Sequence, residues 1–315
     1  FCATVLFLGL PLNAQKILVV HSYNTSFPWT TAFEDSLRDE AELPGSGLEL
    51  FIENLDVTRF GTVPERRAFA QFLTEKYENV ALDAIIGNSD HACAFIDEYL
   101  SFPVSVPRAY YTTSYENRKP WIFGLRAKYD RVILDTWQLV NSIFPQMDNA
   151  VVIAGDPYST KTVYAKIRDL AGDAGIPVRL IDNFTFDELI AEVSRASPTT
   201  AIFFMPVLKD RTGAGSTPKL LLSDLAGKSP APIFTFWETM TGSGTVGGYV
   251  ISSRTAAREM VRAIRDYLGT GSFGTEYTVS LCVLDWTEME RHGLRTDLVP
   301  EGATIINRPE PIYVR

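Results

Sequence analysis

The chain is poor in the residues that metal and redox sites need. It contains three cysteines and three histidines among 315 residues. Cys2 lies in the apolar start of the chain, and Cys93 and Cys282 are far apart, so no pair of cysteines has metal or redox spacing. The histidines form neither an H-x-x-x-H nor an H-E-x-x-H pattern. The sequence therefore predicts two buried thiols at Cys93 and Cys282, no metal site and no cofactor.

An excess of positive charge is missing as well. Lysine and arginine number 29 against 38 aspartates and glutamates, which gives a formal net charge of -9. A nucleic-acid-binding protein needs a basic surplus to displace phosphate counterions, and binding to anionic lipid needs a basic patch. The charge balance argues against both kinds of partner.

The familiar catalytic and nucleotide-binding signatures are also absent. No G-x-S-x-G segment offers a nucleophilic serine. Residues 242–247 match G-x-G-x-x-G, but the following Gly248–Ser252 segment reads as a strand, whereas a dinucleotide site needs a helix there. We interpret this segment as a glycine loop. Carboxylates are plentiful, yet no spacing singles out a catalytic pair. The sequence thus predicts no catalytic residue.

Long apolar runs are confined to the start of the chain. The segment Phe1–Leu12 is strongly apolar and is followed by Asn13-Ala14-Gln15. This is typical of the end of a signal peptide or signal anchor, with Ala14 as the cleavage residue; the alternative is a buried first strand or helix. No other stretch approaches the roughly 20 apolar residues of a membrane span. We expect residues 1–15 to be such a signal remnant and the rest to lie outside the cytoplasm.

What the chain does have is a regular alternation of strands and helices, which indicates α/β architecture with parallel sheets. A chain of this length is too long for one ordinary core, so two doubly wound lobes are expected. Predicted strands cover 16–20, 48–52, 83–87, 106–111, 150–154, 178–181, 201–205, 233–236 and 248–252. Predicted helices cover 31–40, 64–77, 92–99, 130–144, a segment through 167–170, 186–196, 220–225 and 254–268.

Polar and aromatic residues follow the predicted strands, where open α/β sheets bind ligands. Helices beginning at Ser89 and Ser159 would present free N–H groups to a carboxylate. Tyr23, Trp29 and Trp237 could stack on an apolar, aromatic or cationic group; core packing is the competing interpretation of each ring. The predicted ligand-binding residues are Ser22, Tyr23, Phe27, Trp29, Asn88, Ser89, Asp90, Thr112, Thr113, Asp156, Tyr158, Ser159, Pro206, Trp237 and Glu238.

Several of these segments also carry a family resemblance. The matching pieces are residues 16–23 with 27–30, 55–59, 76–77, 83–86 with 90–92, 102–103, 106–107, 293–294, 298–302 and 305–309. Together they resemble periplasmic sensor domains related to the ABC-transporter substrate-binding proteins for aromatic amino acids. The resemblance covers nearly all of Lys16 to Arg315.

The resemblance implies a type I periplasmic-binding-protein fold, in which three crossovers join two lobes and a ligand binds in the cleft between them. We place one lobe at 16–123 plus 251–281 and the other at 124–250 plus 282–315. This chain has Thr112-Thr113-Ser114 where relatives typically have a Gly-x-Asn segment. The ligand therefore cannot be inherited from a relative.

Such domains often precede a membrane span and a histidine kinase or diguanylate cyclase. We therefore expect a membrane-anchored periplasmic sensor domain that binds an amino acid, organic acid or aromatic metabolite. Flanking segments would reach the membrane, and a second copy of the chain could form a homodimer with it. The alternative is a free solute-binding protein of an ABC importer. A cleft enzyme is less favoured, since no acid/base or nucleophile group is evident.

Overall fold

The computed structural model describes residues 14–113, 115–116, 119–126, 128–155, 160–275 and 277–309. The chain divides into two compact units. One comprises the chain up to Ala127 together with Ser253–Val279, and the other comprises Lys128–Ser252 together with Ser280–Arg315. The polypeptide therefore passes between the units three times.

The elements alternate along most of the chain. The strands are β1 Gln15–His21, β2 Leu48–Asn54, β3 Ala84–Asn88, β4 Arg108–Thr112, β5 Ile122–Arg126, β6 Asn149–Ile153, β7 Val178–Ile181, β8 Thr200–Phe204, β9 Ile233–Thr235, β10 Gly247–Ile251, β11 Ser280–Asp285 and β12 Thr304–Ile306. The α-helices are α1 Pro28–Glu42, α2 Val63–Tyr77, α3 Asp90–Tyr99, α4 Tyr129–Ile143, α5 Ala165–Asp173, α6 Phe186–Val193, α7 Pro218–Lys228, α8 Ser253–Thr270 and α9 Trp286–Arg291.

The first unit is built on a parallel five-stranded sheet in the order β2-β1-β3-β4-β5. The central strand β1 is apolar on both faces, and Ile17 to Val20 are fully buried. Such a run is what a parallel strand covered by helices on both sides requires. One core cluster joins Leu18 and Val20 to residues of α2 and α3, including Leu73 and Phe95.

The helix ends of the first unit follow from local sequence. Proline occupies the first turn of α1 and of α2, where the missing N–H is not needed. At α2, the Thr62 hydroxyl accepts from the N–H of Glu65 while the Glu65 carboxylate accepts from the N–H of Thr62, which forms a capping box. Helix α8 packs against α1, β4 and β5. It buries an apolar stripe that includes Met260, Val261 and Ile264.

Strand β5 was not predicted from the sequence. It pairs with β4 from Ile122 to Arg126, so it extends the sheet of the first unit. Ile122 and Leu125 are buried, whereas Gly124 and Arg126 are exposed. The expected lobe boundary after residue 123 falls within this strand.

The second unit contains a seven-stranded sheet in the order β12-β11-β10-β9-β8-β6-β7. Its core includes fully buried Phe203 and Phe236, whose rings stack at a centroid distance of 5.9 Å. The sheet is predominantly parallel, as expected, and only the β10–β11 pair among its described pairings is antiparallel. Strands β11 and β12 were not predicted from the sequence, and the expected boundary after residue 281 falls within β11.

The glycine-rich segment before β10 is a loop that leads into a strand, as interpreted from the sequence. Gly247 has a φ of 103° and opens β10. A Cβ atom there would lie 2.0 Å from the backbone oxygen of Val283 in β11. The glycine is therefore needed because two backbones approach closely, rather than because a phosphate is bound.

Two further expectations concern burial and membrane association. Cys93 and Cys282 are both buried and free, as predicted. Within the described part of the chain, no helix has the length and apolar character to cross a bilayer. The predicted signal remnant lies almost entirely outside the described residues, which begin at residue 14.

Candidate functional site

Three predicted segments of the first unit meet at one edge of its sheet. In the parallel register, His21 lies opposite Asn88, and Asn88 lies opposite Tyr111. The loops that follow β1, β3 and β4 therefore leave the sheet side by side. We call this surface the carboxyl edge of the first unit; it carries Ser22, Tyr23, Phe27, Trp29, Asn88, Ser89, Asp90, Thr112 and Thr113.

Ser22 ties two of these segments together. Its hydroxyl donates to the carbonyl oxygen of Asn88 at 3.1 Å and accepts from the N–H of Ala92 at 2.8 Å. Only 1% of its surface is exposed. Ser22 therefore caps the first turn of α3 from a neighbouring strand end, and its hydroxyl is already used.

Ser89 differs from the sequence expectation. It precedes α3 as predicted, but its side chain makes no capping hydrogen bond. Its backbone has φ 78° and ψ 160°, a region that is essentially restricted to glycine. The N–H groups of Ala92 and Cys93 are bonded to the carbonyl oxygen of Ser89, so these two are not free for a ligand. The expected N–H cradle is thus smaller than predicted, and the backbone strain sits at the predicted site.

Asp90 organises the loop after β4. Its carboxylate accepts from the N–H of Thr113 at 2.8 Å, from the Thr113 hydroxyl at 2.6 Å and from the N–H of Tyr115 at 3.2 Å. Thr113 is half-buried, whereas Thr112 is buried within β4. Asp90 and Thr113 therefore form one hydrogen-bonded polar group at this edge.

Trp29 is held by a buried polar chain. Its indole N–H donates to Asn88 Oδ1 at 3.1 Å, and its ring packs on Tyr111 at a centroid distance of 4.9 Å. Asn88 Nδ2 lies 2.8 Å from His21 Nδ1, so the amide donates there when the imidazole is neutral and protonated at Nε2. The ring of Trp29 is half-buried and fixed in orientation.

His21 is the residue of this group that sequence reasoning missed. It is fully buried, and burial lowers its pKa to about 4. Its Nε2 lies 4.0 Å from a Glu34 carboxylate oxygen without a hydrogen bond. His21 stood directly before the predicted segment, but its contact with Asn88 depends on the pairing of β1 with β3. No local pattern reports that pairing.

Tyr23 and Phe27 form the aromatic part of the carboxyl edge. Their rings are 5.0 Å apart, both are half-buried, and His91 meets the edge of Tyr23 at 6.4 Å. Burial, with the nearby charge of Asp90, raises the pKa of Tyr23. The phenol therefore stays protonated at neutral pH and can act as a hydrogen-bond donor.

The second unit brings its own predicted residues together. Ile153, Phe204 and Thr235 are in register, so Pro206 and Trp237 follow neighbouring strands. Pro206, Trp237 and Glu238 are half-buried. Trp237 packs 5.8 Å from Tyr129 and contacts the core of this unit. Asp156, Tyr158 and Ser159 lie outside the described residues.

Glu238 begins a short 3-10 turn and is engaged by hydrogen bonds within its own unit. Its carboxylate accepts from the Ser252 hydroxyl, and its carbonyl oxygen accepts from the Thr241 hydroxyl at 2.7 Å. The hydrogen bond from Ser252 therefore fixes the orientation of this carboxylate. Among the described residues, no group of three or more His, Cys, Asp or Glu side chains is placed to hold a metal ion.

The carboxyl edge of the first unit has a definite chemical character. Half-buried rings of Tyr23, Phe27 and Trp29 offer apolar and π surfaces, while Asp90 and Thr113 supply acceptor and hydroxyl groups. Such a surface can stack on an apolar or aromatic group and hydrogen-bond to a polar substituent.

Comparisons with known proteins complete this picture. No protein-family model matches the sequence, and a comparison with curated proteins found no match either. Solved structures are similar in fold at low sequence identity. A ligand-free, open substrate-binding protein with adhesive properties from Clostridium difficile has a TM-score of 0.63 at 11% identity, covering 94% of this chain and 100% of that one.

Two further solved structures agree with it. An ABC domain in complex with L-Trp from Streptococcus pneumonia has a TM-score of 0.57 at 13% identity, covering 92% of this chain and 99% of that one. A periplasmic sugar-binding protein of an ABC sugar transporter from Legionella pneumophila has a TM-score of 0.57 at 12% identity, covering 85% and 100%. The chain therefore has the type I periplasmic-binding-protein fold predicted from the resemblance.

Proposed function

We propose that this chain binds a small molecule outside the cytoplasm, and that it is the sensor domain of a membrane-bound receptor such as a histidine kinase or diguanylate cyclase. The observation that carries the binding proposal is the carboxyl edge of the first unit. Tyr23, Phe27 and Trp29 remain half-buried beside Asp90 and Thr113, on a fold whose solved relatives include binding proteins. We propose no catalytic role for the chain itself.

The chemistry of this edge favours an amino acid, an organic acid or an aromatic metabolite. Rings suit an apolar or aromatic body, and the Asp90 carboxylate suits an ammonium or hydroxyl group. The L-Trp complex of the Streptococcus relative is consistent with the first of these classes. Binding would stabilise the conformation for which the ligand has the higher affinity and so shift its population.

A thermal-shift screen tests the binding proposal. The purified chain is freed of retained ligand by unfolding and refolding, then screened against amino acids, organic acids, nucleosides and aromatic metabolites. A ligand at 100 times its dissociation constant stabilises the native state by about 2.7 kcal/mol, which is a readable shift. We expect a saturable hit whose affinity falls at least tenfold in Trp29→Ala.

The control for this experiment is Leu220→Ala, because Leu220 is 71% exposed and lies in the second unit. It removes exposed apolar surface from the other unit and should leave the affinity unchanged. If no compound in the panel shifts the refolded protein, the small-molecule proposal is wrong. An equal loss in both variants would place the ligand elsewhere.

A free solute-binding protein of an ABC importer is the second candidate. Two of the similar structures are an ABC domain and an ABC-transporter sugar-binding protein, which favours this reading. Fractionation of cells that express the full-length gene product separates the two. Retention in the membrane after a carbonate wash supports the receptor, and release as a periplasmic protein supports the importer.

A further inference from the structure

A cavity lies in the first unit, between the segment that follows β2 and one face of α2. Its volume is about 580 Å³, and its walls include Asn54, Leu55, Arg66, Phe69 and Phe72. This volume falls within the range of small-molecule sites. Asn24 of the loop after β1 also lines the cavity, so it adjoins the carboxyl edge. None of Tyr23, Phe27, Trp29 or Asp90 lines it, so the aromatic surface of that edge is not part of it.

Two polar atoms in the cavity wall are buried without a hydrogen-bond partner. They are Asn54 Oδ1, an acceptor, and Arg66 Nε, a donor. Buried polar atoms are nearly always paired, and each exception calls for an explanation. An acceptor and a donor that are both unsatisfied in one cavity indicate a ligand that carries the complementary donor and acceptor.

The acidic groups of the cavity are already engaged. Asp56 accepts from Asn24 Nδ2 at 2.8 Å and forms an ion pair with Arg59. Burial alone would raise the pKa of Asp56, but these hydrogen bonds hold it below its ordinary value. Glu65 belongs to the capping box of α2. Both carboxylates are therefore ionised and internally bonded at neutral pH.

Arg66 is the basic residue of the cavity wall that has no acidic partner among the described residues. No carboxylate among the described residues lies within 4.0 Å of its guanidinium, whereas Arg59 has Asp56. The cavity wall carries two carboxylates and two guanidiniums, and Arg66 is the guanidinium that has no ion pair among the described residues. A guanidinium matches the planar geometry of a carboxylate.

The remaining wall is apolar and aromatic. The rings of Phe69 and Phe72 stack at a centroid distance of 6.0 Å, and Leu55 is buried beside them. Phe72 is 51% exposed, and Lys76 Nζ lies 5.5 Å from the centroid of its ring. This wall provides a surface for an apolar ligand body next to the cationic and amide groups.

We propose that this cavity is a second small-molecule site, which takes an amphipathic carboxylate. The carboxylate pairs with Arg66, the apolar or aromatic body lies on Phe69 and Phe72, and a hydroxyl or amide N–H donates to Asn54 Oδ1. The proposal does not depend on the ligand of the carboxyl edge.

The probe is 3-phenyllactate, which carries a carboxylate, a hydroxyl and a phenyl ring, titrated calorimetrically into the full 315-residue chain. We expect saturable binding at one site. Arg66→Gln should weaken it at least tenfold, and Arg66→Lys less, because the charge remains. The compound 2-phenylethanol, which lacks the carboxylate, should bind at least tenfold more weakly than the probe.

Arg67→Gln is the matched control, since Arg67 is the exposed neighbour on α2 and does not line the cavity. It removes the same charge and should leave the affinity unchanged, as should Trp29→Ala. Absence of saturable 3-phenyllactate binding overturns the proposal, and so does an equal loss in Arg67→Gln. A loss in Trp29→Ala but not in Arg66→Gln would assign the probe to the carboxyl edge instead.

Discussion

Single residues at the carboxyl edge combine support and recognition. The side chains of Ser22 and Asn88 are hydrogen-bonded within the protein. Ser22 caps α3, and Asn88 bridges His21 and Trp29. Tyr23 and Trp29 then present half-buried rings in fixed orientations. Rigid placement of this kind lowers the entropy that ligand binding must overcome.

The buried imidazole of the single residue His21 makes the unfolding free energy depend on pH. Burial lowers its pKa to about 4 from an ordinary value of 6.5, so between these values the unfolded chain binds more protons than the folded one. The unfolding free energy should therefore fall as the pH drops from 6.5 toward 4. The His21 contribution to this fall is about 3 kcal/mol, since one pKa unit corresponds to about 1.4 kcal/mol. Urea denaturation at a series of pH values measures it.

Two variants isolate the effect of His21. His21→Gln removes the buried imidazole and should flatten the pH dependence between 6.5 and 4, whatever its effect on absolute stability. His91→Gln removes an exposed imidazole and should leave the slope as it is. An unchanged slope in His21→Gln would show that the imidazole is not buried in its neutral form.

At the scale of elements, strand β10 approaches β11 so closely that a side chain does not fit between them at Gly247. Gly247 lies opposite Leu284, and its positive φ places it where a side chain would meet the Val283 carbonyl. This antiparallel pair joins the last strands to the parallel part of the second sheet. A glycine loop that resembled a nucleotide motif thus proves to be a structural requirement of the sheet.

Gly247→Ala should destabilise the protein by about 3 kcal/mol or more, because the new Cβ combines backbone strain with overpacking. Thermal unfolding measures the loss. The matched control is Gly227→Ala in α7, where nothing lies within 4 Å of the new Cβ and the helix should gain about 0.5 kcal/mol. Wild-type stability in Gly247→Ala would contradict the close approach of β11.

At the scale of the whole molecule, the first unit is not one continuous piece of chain. It consists of the chain up to Ala127 and of Ser253–Val279, which contains α8. The stripe of α8 that contains Met260, Val261 and Ile264 is fully buried. Burying three such side chains is worth roughly 6 kcal/mol, which is comparable with the entire stability of a domain.

Residues 14–127 expressed alone should therefore lack a cooperative unfolding transition. The same fragment joined through a flexible linker to residues 253–279 should regain one, as followed by circular dichroism. The linked fragment with Ile264→Asp is the control and should stay unfolded, since it buries an unpaired charge. A cooperative transition in residues 14–127 alone would show that α8 is dispensable.

The fold was predictable because its signals are local and repeated. Apolar runs such as Ile17–Val20, and a proline at a helix start such as Pro64, are local signals, and they predict the alternation of strands and helices. Strand β5 was not predicted because only Ile122 and Leu125 of its five residues are buried, and their spacing of three does not give the period-two alternation that indicates a strand. Strand β12 was not predicted because it has only three residues and none of them is buried. Strand β11 was overlooked, although Leu281–Leu284 form a short apolar run.

The sequence by itself determined the α/β class, the position of the candidate residues directly after strands, and the excess of negative charge. All three depend on residue types and short spacings. Only the tertiary structure decided that the Ser22 hydroxyl caps α3, that His21 orients Asn88, and that Arg66 shares a cavity with Asn54. These contacts join residues 12 to 70 positions apart in the chain. Strand register and helix packing bring such residues together, and no local pattern encodes either of them.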